Sequence, residues 1–260
     1  MSEDEELLTT ERHQGTLVLT LNRPKARNAL NIALQGALID GFRAATANDE
    51  VTAVILTGSG PAFCAGFDLK ELASGVGGGD GAGRQNELAA AVDDCPKPVI
   101  GAINGFAITG GFELALACDF LVASREARFA DTHTRVGMVP GWGLSQRLPR
   151  LIGIGRAKEL SLTGNFIDAN QAERWGLVNR VVNPDELLPT CLTLAADIDS
   201  CVGPANRETK RLIDEGFGMT LAEAMSFENR AATEWAKQVS GADIGGRREG
   251  VVDRGRDQGR

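Results

Sequence analysis

Lys97 to Ser124 reads "KPVIGAINGFAITGGFELALACDFLVAS", and the reading of this stretch decides the fold. "KPVIGAI" is a buried strand, and "DFLVAS" is the next one. Between them Gly110 and Gly111 open an apolar run of helix formers. Strand, glycine-led helix, strand is the signature of an α/β unit. Glu113 sits near the helix start, in a segment whose other residues (Leu114, Ala115, Leu116, Ala117, Cys118) are built for burial. An ionised carboxylate is seldom buried without a partner. Glu113 therefore either favours the helix dipole in the first turn or is kept there for chemistry.

Outward from this unit the pattern repeats. "GTLVLTLNRP" is a strand ended by proline, and "IALQGALIDGFRAATAN" carries Leu34, Leu38 and Phe42 at four-residue intervals, a helical stripe. "VTAVILTGSG" is a short β-branched strand, and "PAFCAGFDLKEL" a loop entering a helix with Asp68 as its N-cap. "SGVGGGDGAG" has six glycines in ten residues and is expected to be a mobile surface loop or flap. "FADTHTRVGMVPGWG" is irregular; "LSQRLPRLIG" and "GRAKELSLTG" read as helices. After about Pro204 only helical patterns follow. The expected division is 1–203, an α/β core of successive β-α units, and 204–260, a helical subdomain packing on or between subunits.

Composition narrows the function classes. The 260 residues carry 27 Lys+Arg against 35 Asp+Glu, a net charge of −8, which argues against nucleic acid or an anionic membrane as partner. The arginines of the tail "RREGVVDRGRDQGR" alternate with aspartates and glycines, the pattern of a solvated helix end. Five cysteines form no C-x-x-C pair, and the two histidines, His13 and His133, build no metal-ligand spacing. Reduced thiols, an acidic N-terminus without an apolar core and no apolar run of about 18 residues predict a cytoplasmic protein.

Two stretches suggest chemistry. A glycine-led helix start presents N–H groups that have no partner inside the helix, and the dipole adds positive charge there. "AFCAGFDLKEL" offers a second such loop after a second buried strand. Two loops presenting one N–H each would make an oxyanion hole for a developing negative oxygen.

Here the chain resembles the crotonase, or enoyl-CoA hydratase/isomerase, superfamily. The carrying motifs are "NRPKARNALN", "AFCAGFDLKEL", "KPVIGAINGFAITGGFELALACDF", "ARFADTHTRVGMVPGWGLSQRLPRLIG" and "LTGNFIDANQAERWGLVNRVV", spread over roughly Thr16 to Pro184. The resemblance implies a spiral of repeated β-β-α turns, in place of the simpler β-α order, and C-terminal helices that mediate a homotrimer or a hexamer. It implies an acyl-CoA substrate of lipid metabolism and no metal or redox cofactor, coenzyme A entering as the substrate thioester. Phe67 and Gly110 match the oxyanion-hole donors. The stretch Ala65, Gly66, Asp68, Leu69, Lys70 matches the adenosine end, with Arg27 and Lys70 as candidates for the CoA phosphates. Phe112 and Trp142 are candidates for the acyl pocket.

Glu113 matches the first of the two glutamates that the family's hydratases use. The second is replaced by His133. Histidine is a competent acid or base near neutral pH. The implied activity is addition of water across the 2,3 double bond of a 2-enoyl-CoA, with Glu113 ionised and His133 as its partner. Enoyl-CoA isomerisation and acyl-CoA binding with weak turnover remain the alternatives. Asp131, a stand-in carboxylate by position, reads as a turn former. Thr109 stands where many relatives have a third glycine.

Overall fold

Short apolar strands must alternate with helices that cover them, and the chain does this by winding. In the computed structural model, which describes residues 6–74 and 80–258, β1 (Leu8–His13) and β2 (Thr16–Leu21) form an antiparallel hairpin across Gln14 and Gly15. β1 escapes the sequence reading because most of it is solvent-facing, with no alternation to detect. In α1 (Ile32–Ala47) the side chain of Asn31 accepts the Leu34 N–H, and Leu34, Leu38 and Phe42 are fully buried, as their spacing predicts. Each of the three is worth about 1.5–3 kcal/mol of burial.

Successive turns then follow. They comprise β3 (Ala53–Gly58) and β4 (Ala62–Cys64), with α2 (Leu69–Ala73) and α3 (Asp80–Asp93); β5 (Val99–Ile103) and β6 (Phe106–Ile108), with α4 (Gly110–Ala117); and β7 (Phe120–Ser124) and β8 (Arg128–Ala130). In each turn the first strand enters a six-stranded sheet of order β1-β2-β3-β5-β7-β10, where β10 is Arg180–Val182. The second enters a four-stranded sheet of order β4-β6-β8-β9, where β9 is Ile167–Asp168. Parallel neighbours stack in register, Val54 opposite Val99 and Ile100 opposite Phe120 in the large sheet, Phe106 opposite Arg128 in the small one. This is the β-β-α spiral, and it corrects the simpler β-α order. The second strands are three residues long, too short to show a period of two. Asn104 ties two turns together, accepting the Gly58 N–H at 3.1 Å and donating to the Gly60 carbonyl at 3.0 Å.

α5 (Leu144–Ile152) and α6 (Ile154–Thr163) follow, then α7 (Ala169–Trp175) and α8 (Leu187–Asp199), whose Leu187, Cys191 and Ala195 pack on the outer face of the large sheet. The main core fills the space between α1, the sheets and α4. Of the glycine-rich stretch, residues 75–79 lie outside the described residues, and Asp80 onward belongs to α3 rather than to a loop.

The chain forms two compact units, Met1–Arg207 and Glu208–Arg260, the break falling inside α9 (Gly203–Phe217). The second unit continues through α10 (Leu221–Ala236) and α11 (Gly241–Gln258). A capping box of Thr220 and Glu223 starts α10, and the Arg211 guanidinium lies 4.9 Å from the Phe227 ring centre. Among the described residues no helix is long and apolar enough to cross a membrane.

Candidate active site

α4 is buried from Gly110 to Leu116, and it can sit there only because its second residue has no side chain. A Cβ on Gly111 would lie 2.1 Å from the Cys64 carbonyl oxygen. This close approach seats the start of α4 against the end of β4. Gly66, at φ +90°, brings the loop after β4 against the same place: its Cβ would lie 2.9 Å from the Ile108 oxygen and 3.2 Å from the Gly110 nitrogen. Segment 65–68 hangs on segment 27–30 through Ala65 N–H to Arg27 O (3.0 Å), Leu30 N–H to Gly66 O (2.8 Å) and Asp68 N–H to Leu30 O (3.2 Å). That ladder leaves the Phe67 amide facing away from it. Among the described residues neither the Phe67 nor the Gly110 N–H donates to a protein acceptor. The two loops thus meet with one unengaged amide each.

Thr109, just before α4, has φ 54° and ψ −114°, a conformation a β-branched residue adopts only at a cost of about 1–3 kcal/mol. Its hydroxyl lies 2.5 Å from that of Thr132 and accepts the Thr132 N–H at 3.1 Å, while its own N–H donates to Ala130 O at 2.9 Å. These bonds hold the strained residue and tie the loop before α4 to the loop after β8.

Glu113 lies one turn beyond Gly110 on the same helical face. It is 1% exposed. Its Oε1 accepts the Trp142 N–H at 2.8 Å and the Leu144 N–H at 3.4 Å. Its Oε2 stands 3.6 Å from His133 Nε2, beyond hydrogen-bond length. Burial pushes the Glu113 carboxyl above its ordinary range; the Trp142 amide, the His133 ring and the Leu144 amide pull it back without cancelling the effect.

His133 begins a short 3-10 turn (His133–Val136) and is buried. Its Nδ1 lies 2.7 Å from Asp131 Oδ1, and its backbone N–H donates to the same oxygen at 3.2 Å. Burial raises the Asp131 carboxyl, but the hydrogen bonds from the His133 ring and amide outweigh it and hold the group below its usual range. Asp131, read from the sequence as a turn former, is thus a buried partner of the ring. The Asp-x-His spacing was its only sequence signal.

Other candidates separate. Asp68 caps α2, accepting the Lys70 N–H at 3.1 Å, and pairs with Arg23 at 3.2 Å, a residue the sequence reading passed over. Arg27 is exposed, its guanidinium 5.9 Å from the Phe106 ring centre; Leu69 and Lys70 are exposed on α2. Phe112 is fully buried and packs in the core, its ring 5.5 Å from that of Phe129. Trp142 stands 6.4 Å, centre to centre, from the Phe67 ring, and it reaches Glu113 through its main chain. Side-chain reasoning had no access to that contact.

Two sheets wound in β-β-α turns, the first strand of each turn in one and the second in the other, are the crotonase-type fold. The chain belongs to the enoyl-CoA hydratase/isomerase family, whose model matches residues 11–245. It is 39% identical over 252 residues, 96% of this chain and 95% of the relative, to a probable peroxisomal enoyl-CoA hydratase of Arabidopsis thaliana. It is 39% identical to the crotonyl-CoA hydratase of Syntrophomonas wolfei, over 86% of this chain and 87% of the relative. The crystal structure of an enoyl-CoA hydratase from Bacillus anthracis superposes with a TM-score of 0.83 at 37% identity, covering 88% of this chain and 90% of that one.

Proposed function

We propose that this protein is an enoyl-CoA hydratase that adds water across the 2,3 double bond of a 2-enoyl-CoA. The observation that carries the reading is the buried pair, Glu113 Oε2 facing His133 Nε2 at 3.6 Å, one turn along α4 from the unengaged Gly110 amide. In this reading the Phe67 and Gly110 N–H groups hold the thioester oxygen while it carries the charge of the enolate. Glu113 and His133 share one proton, so one member is the base and the other the acid. Water bonds through oxygen to Cβ, the base takes a water proton, and the acid delivers its proton to Cα. The shared proton has then changed sides, and return between Nε2 and Oε2 resets the site. The reaction needs no metal or redox group; coenzyme A is the handle of the substrate, met by Arg27 and the Ala65–Lys70 segment.

We further infer a cytoplasmic protein assembled as a homotrimer or a pair of trimers. Exposed apolar residues on α9 and α10 support the assembly. The absence of a disulfide among the five cysteines supports a reducing compartment.

The test is crotonyl-CoA hydration, followed by loss of the enoyl-thioester absorbance. The wild type turns over, and Glu113→Gln lowers kcat by at least about 10²-fold with acyl-CoA affinity nearly unchanged. A wild type that binds crotonyl-CoA without adding water, and converts 3-enoyl-CoA to 2-enoyl-CoA, is an isomerase; one that does neither is a binding protein.

A further inference from the structure

His133 has carboxylates on both sides. Glu113, on α4, faces Nε2 across 3.6 Å; Asp131, on the loop after β8, meets Nδ1 at 2.7 Å. The two contacts are not equivalent. The nearer one is a hydrogen bond and the farther one is not. Asp131 Oδ1 also receives the His133 backbone N–H at 3.2 Å, so its hydrogen bonds go to His133, and the buried Oδ2 has no hydrogen-bond partner among the described residues. Asp131 and His133 are both almost completely buried. A ring nitrogen without a proton, placed 2.7 Å from a buried carboxylate oxygen, would set two lone pairs against each other. Turning the ring to avoid this would break the contact that positions it.

We propose that Asp131 is a positioning residue: it keeps a proton on His133 Nδ1 in every protonation state of the ring, so that Nε2 is the nitrogen that exchanges protons with Glu113 and with water. The carboxylate also stabilises the imidazolium formed whenever Nε2 takes a proton. This explains how a histidine replaces a carboxylate at this place. A carboxylate presents two equivalent oxygens, whereas an imidazole works only with its correct nitrogen free, and a third group must choose it.

The statement about rate rests on the hydratase reading; the statement about ring protonation does not. The test uses the full-length protein labelled with 15N-histidine, whose two histidines, His13 and His133, are assigned with His133→Gln. At every pH from about 5 to about 8, His133 Nδ1 gives the signal of a protonated nitrogen. In Asp131→Asn the Nδ1 signal moves towards that of an unprotonated nitrogen. In the same variant kcat for crotonyl-CoA falls about 10²-fold while KM changes less than about threefold. An unprotonated Nδ1 in the wild type overturns the proposal, as does an Asp131→Asn protein with wild-type ring signals and rate. If that variant fails to fold, the wild-type spectrum decides alone. If the wild type hydrates nothing, the hydratase reading falls, and the spectrum still decides whether Asp131 selects the tautomer.

Discussion

At the scale of single residues, Glu113 and Asp131 are buried carboxyls shifted in opposite directions, and stability against pH follows from each. Glu113 has its folded-state pKa above the unfolded one. The protonated form therefore favours the fold, and this contribution is full below the ordinary carboxylate range and lost as pH rises through the raised value. Asp131 has a lowered folded-state pKa. Its contribution is present above the ordinary aspartate range and lost only as pH falls through the lowered value. Glu113→Gln removes the first effect and keeps an oxygen for the Trp142 and Leu144 amides. Its melting temperature should exceed that of the wild type at pH about 8, with the gap closing towards pH about 4.5. Thermal melts across that range check this; a variant less stable than the wild type at alkaline pH contradicts it. Stability gained where activity is lost is the expected exchange at such a site.

At the scale of elements, the site depends on α4 meeting the end of β4 without an intervening side chain. Gly111→Ala places a methyl 2.1 Å from a backbone oxygen that has no rotamer with which to yield. The expected cost is about 3 kcal/mol, read as a lower urea midpoint with an unchanged slope. Gly155→Ala is the contrasting case. It lies in α6, where an added Cβ meets nothing within 4 Å, and should raise stability by about 0.5–1 kcal/mol. If both substitutions behave alike, the packing argument for α4 is wrong.

At the scale of the whole molecule, apolar residues remain on the surface of each unit. Leu151, Ile154 and Leu162 are exposed on α5 and α6, and Ile213, Phe217, Leu221 and Met225 on α9 and α10. Neither α9 nor α10 contains a buried residue, so their apolar side chains have no core of their own. Light scattering at micromolar concentration should report a trimer or a multiple of it. Replacing Leu221 and Met225 together by Asp should yield smaller species. A monomeric wild type contradicts the assembly.

Much of this was legible in the order of residues. The stripe of Leu34, Leu38 and Phe42, the apolar runs of β3, β5 and β7, and the glycine-led start of α4 are local patterns, and local patterns survive in a linear text. The motifs around Glu113 and His133 marked both residues by their place in a family pattern. Contacts between segments distant in the chain were not legible. The three-residue strands are specified by pairing across turns of the spiral, not by a period of their own. Phe112 and Glu113 are neighbours in sequence, yet one packs against Phe129 in the core and the other faces His133, because a helix turns successive side chains by about 100°. The Trp142 amide reaches Glu113 through the backbone, whose hydrogen bonds do not depend on residue identity. Asp131 shows the division within one residue. Its spacing from His133 is in the sequence, but turn former and ring partner share that spacing. Only folding, by burying the carboxylate beside the imidazole, left it no partner other than the ring and its neighbours.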